Sequence, residues 1–207
     1  MTEAEHESRA KLLDAAVSVI RAKGYSAARV DDICAAAGLT KGSFFHHFAS
    51  KEELALAAAE RWGAKTGDLF AAAAYHQLPD PLDRVLAYVD FRKALIRGAA
   101  RDFTCFAGTT VQEVHETHPV IRDACGETIS GHAATLEADI AAAMRQYGAA
   151  EEFTAQSLAL HTQAVIQGAY VLAKATQDPA IARASLDHLR RYLELLFRPP
   201  QPKENTP

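Results

Sequence analysis

The chain has 207 residues, 49% hydrophobic and 23% charged, proportions of a globular protein that exclude whole-chain disorder, a collagen-like repeat and a disulfide scaffold. A net charge of −4 and a pI near 6.1 argue against nucleic-acid binding by the chain as a whole, but the charge is unevenly divided. Residues 8–51 carry seven bases against three acids, +4, which leaves −8 on the rest, so a basic N-terminal module is joined to an acidic body.

Strand signals are almost absent, and helical spacing recurs instead. Leu13, Ala16, Val17 and Ile20 form one apolar face of a first helix, with Ser8 as its expected N-cap and Gly24 as its stop. A short helix is expected at about 28–37, ended by Gly38, and another at 41–48, capped by Thr40. Ser50-Lys51-Glu52-Glu53 is a capping box that opens a fourth helix of about 51–65, with Leu54, Ala58 and Trp62 one turn apart. Pro79 and Pro81 bracket a break before a helix at about 82–98. Further helices are expected at 102–117, from Pro119 to about Tyr147, at 151–176 and at 179–197. The fold class is therefore all-α, with nine or ten helices. The proline-rich tail, 199–207, is expected to be disordered.

Cys34, Cys105 and Cys125 are an odd number without metal-type spacing, and Met1–Glu7 lacks the apolar stretch of a signal peptide, so a cytoplasmic location is expected. The uncharged run 153–173 has the length of a membrane span. Gln156, Ser157, His161, Thr162, Gln163 and Gln167 make it too polar for hydrocarbon, and no membrane partner is expected. His115-Glu116-Thr117-His118 has histidines three apart, where the zinc-protease pattern needs four. No metal, cofactor or catalytic residue is assigned, and an enzyme is not expected.

The two short helices around Gly38-Leu39-Thr40 have the arrangement of a helix-turn-helix, whose second helix enters the DNA major groove. Lys41, Ser43, His46 and His47 are the polar residues available to phosphates and base edges. Residues 8–54 closely resemble the N-terminal DNA-binding domain of the TetR family of bacterial transcriptional regulators. The matching pieces are Lys23-Gly24-Tyr25, Val30-x-Asp32-Ile33, Ala36-Ala37-Gly38, Lys41-Gly42 and His46-x-Phe48-x-Ser50-Lys51-Glu52.

The resemblance implies a three-helix DNA-binding domain at 1–50 and a helical effector-binding and dimerisation domain at 51–198. It implies operator contacts from Thr40, Lys41, Gly42, Ser43, Phe45, His46 and Lys51. Two positions depart from the family pattern: Phe45 stands where tyrosine is usual, and Ala28-Arg29 replaces a pair of hydroxyl residues. Arg29 then supplies the charge for a phosphate contact in their place. The implied partners are double-stranded operator DNA, a second copy of the chain and an unidentified small-molecule effector. The expected activity is that of a homodimeric repressor released by its effector. An activator, or a redox- or electrophile-responsive regulator using Cys105, is the alternative.

Two further sets of residues follow. Trp62, Phe91, Cys105, Phe106 and His132 are the candidates for an effector pocket, with core packing as the other reading of the same aromatics. Cys105 precedes an expected helix start, where the dipole favours a thiolate. Leu186, Leu189, Leu193 and Leu196 repeat at intervals of three, four and three. Leu158, Val165 and Leu172 recur every seven residues, with Ala164 and Gly168 allowing close approach. They form a candidate dimer seam, or the core of one chain.

Overall fold

Caps in the sequence decide where several of the helices begin. A computed structural model describes residues 3–148 and 153–197, in which the chain forms α1 (Glu3–Lys23), α2 (Val30–Ala37), α3 (Lys41–His47), α4 (Lys51–Ala71), α5 (Pro81–Ala94), α6 (Ala100–Phe103), α7 (Phe106–Val114), α8 (Pro119–Ala134), α9 (Glu137–Tyr147), α10 (Ala155–Thr176) and α11 (Pro179–Phe197). These are eleven helices, or ten without the single turn of α6, and no strand occurs among the described residues. The expected disordered tail at 199–207 lies outside the described residues.

Ser50 Oγ accepts the N–H of Glu53 at 3.1 Å, and the Glu53 carboxylate accepts the N–H of Ala49 at 2.7 Å. At α10, Thr154 and Ser157 accept each other's backbone N–H at 3.0 Å. Asp80 receives Leu82 and Asp83 N–H at 2.8 and 3.1 Å, with Pro81 starting α5 where no donor is needed.

Three expectations fail. Ser8 is not an N-cap: α1 starts upstream of it, and the Ser8 hydroxyl donates back to the Glu5 carbonyl at 3.1 Å. The single helix expected from Pro119 to Tyr147 is two, broken at Thr135–Leu136, where Leu136 is buried. The helices expected at 82–98 and 102–117 also stop and restart. α5 ends at Ala94 and Gly98 takes φ +76, while Thr104 and Cys105 separate α6 from α7.

The chain divides into two compact units. One contains residues up to 72 with 98–132, and the other contains 73–97 with residues from 133 onward. The first packs Leu12, Ala16 and Ile20 of α1, Ile33 of α2, Phe44 of α3 and Leu54 and Ala58 of α4 into one core with Phe106, Ile121 and Cys125. Helices α7 and α8 therefore belong to the same apolar body as the helix-turn-helix. Phe44 is fully buried, and its loss to alanine would cost about 3–5 kcal/mol. In the second unit, α5, α9, α10 and α11 bury Leu86, Val89, Ile140, Ile166 and Leu186. Inside it Gln163 Nε2 donates to the Tyr88 hydroxyl at 2.7 Å, and Arg92 donates to both Tyr88 (2.9 Å) and Gln163 (3.0 Å). That network satisfies the polar groups a helical core would otherwise strand. Among the described residues, no helix is long and apolar enough to cross a membrane.

Candidate nucleic-acid interface

The turn between α2 and α3 is built from backbone requirements. Gly38 sits at φ +66, a left-handed position that glycine takes without steric cost. Its N–H reaches Ala35 O at 3.2 Å, and Leu39 N–H reaches Cys34 O at 2.9 Å, which closes α2 with a Schellman motif. Thr40 Oγ1 then accepts Ser43 N–H at 3.2 Å and starts α3. Phe44 and Phe48 anchor α3 to the core, so the opposite face of α3 points outward.

That outward face carries Lys41, Gly42, Phe45 and His46, all exposed, with Ser43 half-buried. Gly42 is informative. Glycine within a helix costs about 0.5–1 kcal/mol relative to alanine, yet a Cβ at Gly42 would meet only Thr40 Oγ1, at 3.6 Å. Among the described residues nothing packs closely against that position, so the surface of α3 is open there.

The charged residues differ in how firmly they are engaged. The Arg29 side chain is 77% exposed, 3.7 Å from Asp32. Lys41 Nζ pairs with Asp31 at 2.8 Å, both exposed, a surface pair worth about 0–1 kcal/mol that a phosphate can displace. Lys51 differs: its ammonium donates to Tyr25 O at 3.0 Å and Ala28 O at 3.2 Å and lies 4.3 Å from the centre of the Tyr25 ring. Burial lowers its pKa, against an opposing pull from Glu113. Lys51 is thus engaged with the turn before α2. His46 Nε2 lies 3.3 Å from Glu5 Oε1, and His47 Nε2 lies 2.6 Å from Ser8 Oγ. Burial, then the neighbouring His46, lowers the His47 pKa.

One residue of the module escapes sequence reasoning. Glu113 of α7 accepts the N–H of Tyr25 at 3.0 Å and of Ser26 at 2.9 Å. Gly24, at φ +86, makes this possible, because a Cβ there would lie 2.1 Å from the Glu113 carboxylate. Arg21 donates to Thr104 O at 2.7 Å while its guanidinium covers the Trp62 ring at 4.8 Å. No local signal connects residues almost ninety positions apart.

The pocket candidates fall in both units, with Trp62, Cys105, Phe106 and His132 in the first and Phe91 in the second. Phe106 is in the first unit's core, and partly buried Trp62 and Cys105 pack against that core, with the Trp62 and Phe106 rings 6.3 Å apart. His132 stacks edge-on to Phe70 at 4.5 Å, and Phe91 lies in the second unit beside Tyr75, 6.0 Å between ring centres. Cys105 caps α7, its sulfur accepting Gly108 N–H at 3.3 Å. Among the described residues, no three His, Cys, Asp or Glu side chains gather into a metal site.

The leucine seam is also corrected. Leu158, Leu186, Leu189 and Leu193 are buried within the chain, so they are one subunit's core and are not available to a second copy. Val165 and Leu196 are half-buried, and Gly168 and Leu172 are exposed. The heptad spacing of Leu158, Val165 and Leu172 misleads because 3.6-residue turns rotate it around the helix.

A capped helix-turn-helix with an exposed second helix is the arrangement of a DNA-docking module. Family models agree with the geometry. That of the bacterial regulatory proteins, tetR family, matches residues 12–58, and that of the Tetracyclin repressor-like C-terminal domain matches 81–189. The chain belongs to the TetR family.

Among curated relatives, the HTH-type transcriptional regulator CymR of Pseudomonas putida is 46% identical over 61 residues, 28% of this chain and 30% of that protein. The HTH-type transcriptional repressor KstR2 of Mycobacterium tuberculosis is 46% identical over 46 residues, 22% of this chain and 23% of that protein. The chain thus spans under a third of the length of either. A TetR-family regulator structure from Agrobacterium tumefaciens superposes with TM-score 0.80 at 21% identity, covering 91% of this chain and 98% of that one. One from Chloroflexus aurantiacus gives 0.79 at 26%, covering 93% and 96%.

Proposed function

We propose that the protein is a cytoplasmic homodimeric repressor that leaves a near-palindromic operator when a small molecule binds it. The carrying observation is the outward face of α3, which the Thr40 cap and the buried Phe44 orient so that Lys41, Gly42, Phe45 and His46 are exposed together. Residues 1–50 present this face, and 51–198 bind the effector and the second subunit. Thr40, Lys41, Ser43 and His46 contact the operator, and Arg29 supplies a phosphate contact beside them. Lys51 acts at one remove, by fixing the turn that leads into α2.

Exposed apolar side chains on α10 (Leu160, Val171, Leu172) and α11 (Tyr192, Leu195) support the dimer. Exposed Ala164 and Gly168 lie between those of α10. This surface replaces the buried leucines as the proposed contact. Two copies related by a two-fold axis present two α3 helices to successive major grooves, hence the palindrome. The effector releases the operator only by preferring the conformation that binds DNA poorly.

Selection of duplexes from a random pool tests the reading. A near-palindromic sequence should be enriched, and Arg29→Ala should weaken all retained sites alike and lower the log–log salt slope by about one. Retention of no duplex above background at moderate salt overturns the proposal.

The position of Cys105 favours one second reading, a regulator switched by an electrophile. Its half-exposed sulfur faces a helix N-terminus, whereas burial pushes the Cys125 thiol up to about 12. Cys105→Ser keeps the cap, so that variant should still bind the operator but no longer release it on treatment with N-ethylmaleimide.

A further inference from the structure

Phe45 is 60% exposed, more than any other large hydrophobic side chain among the described residues. It does not lie loose on the surface. Its ring stands edge-on to Phe44, centres 5.0 Å apart and planes at 85°, and Phe44 is wholly buried. The exposed ring is therefore held against the core by its neighbour. Positions 41, 42, 45 and 46 lie on one face of α3, being three or four residues apart. Phe45 thus borders the open space at Gly42, with Lys41 and His46 exposed on the same face.

A phenyl ring cannot hydrogen-bond a phosphate, and its exposure in the free protein is an unfavourable hydration that a docked partner would relieve. In a major groove lined by polar base edges, the apolar feature of the four ordinary bases is the C5-methyl of thymine. Exposed Lys41 on the same face, whose surface pair with Asp31 a phosphate can displace, fits a polyanion better than an apolar protein face. We infer that Phe45 reads a thymine methyl group in each operator half-site, and so sets sequence preference where the sequence otherwise suggests a lost phosphate anchor. This inference rests on the DNA-docking face proposed above.

The test replaces each thymine of a duplex selected by the protein with deoxyuridine, which removes the methyl and leaves every hydrogen-bonding group in place. Burial of one methyl corresponds to roughly fourfold in affinity, so a symmetric pair should cost roughly 15-fold. Wild-type protein should lose this at one symmetry-related pair of positions. Phe45→Ala should bind the thymine and deoxyuridine duplexes alike, while Phe45→Tyr, which keeps the ring, should stay sensitive. Because the Phe45 ring is largely exposed, Phe45→Ala should unfold at the wild-type temperature. Wild-type indifference to deoxyuridine at every position overturns the inference, as does Phe45→Ala retaining the same sensitivity. Both results leave DNA binding standing. Failure to select any duplex would instead remove the docking face itself.

Discussion

The contact between Gly24 and Glu113 permits a quantitative test of how α7 is fastened to the DNA-binding module. Glu113→Ala removes a carboxylate that accepts two backbone N–H groups, at 3.0 and 2.9 Å. Hydrogen bonds to charged groups contribute about 1.5–3 kcal/mol when well buried. Here one bond is partly buried and the other exposed, so about 1–2 kcal/mol for the pair is the reasonable magnitude. Gly24→Ala should cost a comparable amount from its left-handed backbone, φ +86, about 1–2 kcal/mol. It should also push the Glu113 carboxylate away, because the new Cβ would lie 2.1 Å from Oε1. The two changes therefore destroy the same contact and cannot add. The double variant should be about 1–2 kcal/mol more stable than the sum of the single losses predicts. Urea unfolding followed by the fluorescence of Trp62, the single tryptophan of the chain, reports on the unit that contains both sites. Losses that add to within about 0.5 kcal/mol would show that the carboxylate does not hold the turn.

Other outcomes follow from particular contacts. Asp14 is held down to about 2, chiefly by hydrogen bonding to Arg61, with Lys65 adding to it. A carboxyl depressed in the folded state stabilises above its unfolded value near 4, and that contribution is lost as pH falls towards 2. Asp14→Asn should therefore flatten the acid limb of the stability–pH profile. The effect should stay below about 1 kcal/mol, since the Asp14 side chain is half exposed. Leu172→Glu, on the exposed side of α10, should give a folded monomer with weakened operator binding. Leu193→Glu should instead unfold the second unit, because a buried carboxylate has no partner there. Sedimentation with circular dichroism separates these outcomes, and a folded, dimeric Leu172→Glu protein would remove that face from the interface.

Much of the first unit was legible because its information is local. Thr40, Gly38 and the Ser50–Glu53 pair each act within a few residues, and each places a helix boundary where the structure has it. Legibility falls where the determinant is distant. The helix expected from Pro119 to Tyr147 breaks at Thr135–Leu136, close to where the chain passes from one compact unit to the other, and no proline or glycine marks that point. The leucines of α11 show a different limit. Periodicity reveals that Leu186, Leu189 and Leu193 share a face, but an apolar stripe looks the same whether it meets another helix of its own chain or a second subunit. Lys51 shows a third limit. Its position at a helix start suggested a phosphate, and only folding brings the Tyr25 and Ala28 carbonyls within its reach.

These distant contacts converge on one short stretch, residues 24–29, the connection between α1 and α2. Lys51, at the start of α4, holds its carbonyls, and Glu113, near the end of α7, holds its N–H groups. The His118 ring meets Tyr25 edge-on at 5.0 Å, from the turn that follows α7. Helix α2 begins directly after this stretch, and Gly38 joins it stiffly to α3. A shift of α4 relative to α7 would pull the carbonyl side and the amide side of the same turn apart. The turn cannot keep both sets of bonds, so either the shift is resisted or α2 and α3 move with it. Under the docking proposed above, a displacement of α4 and α7 that kept both sets of bonds would carry the outward face of α3 with it, which gives Lys51 and Glu113 a role through the turn.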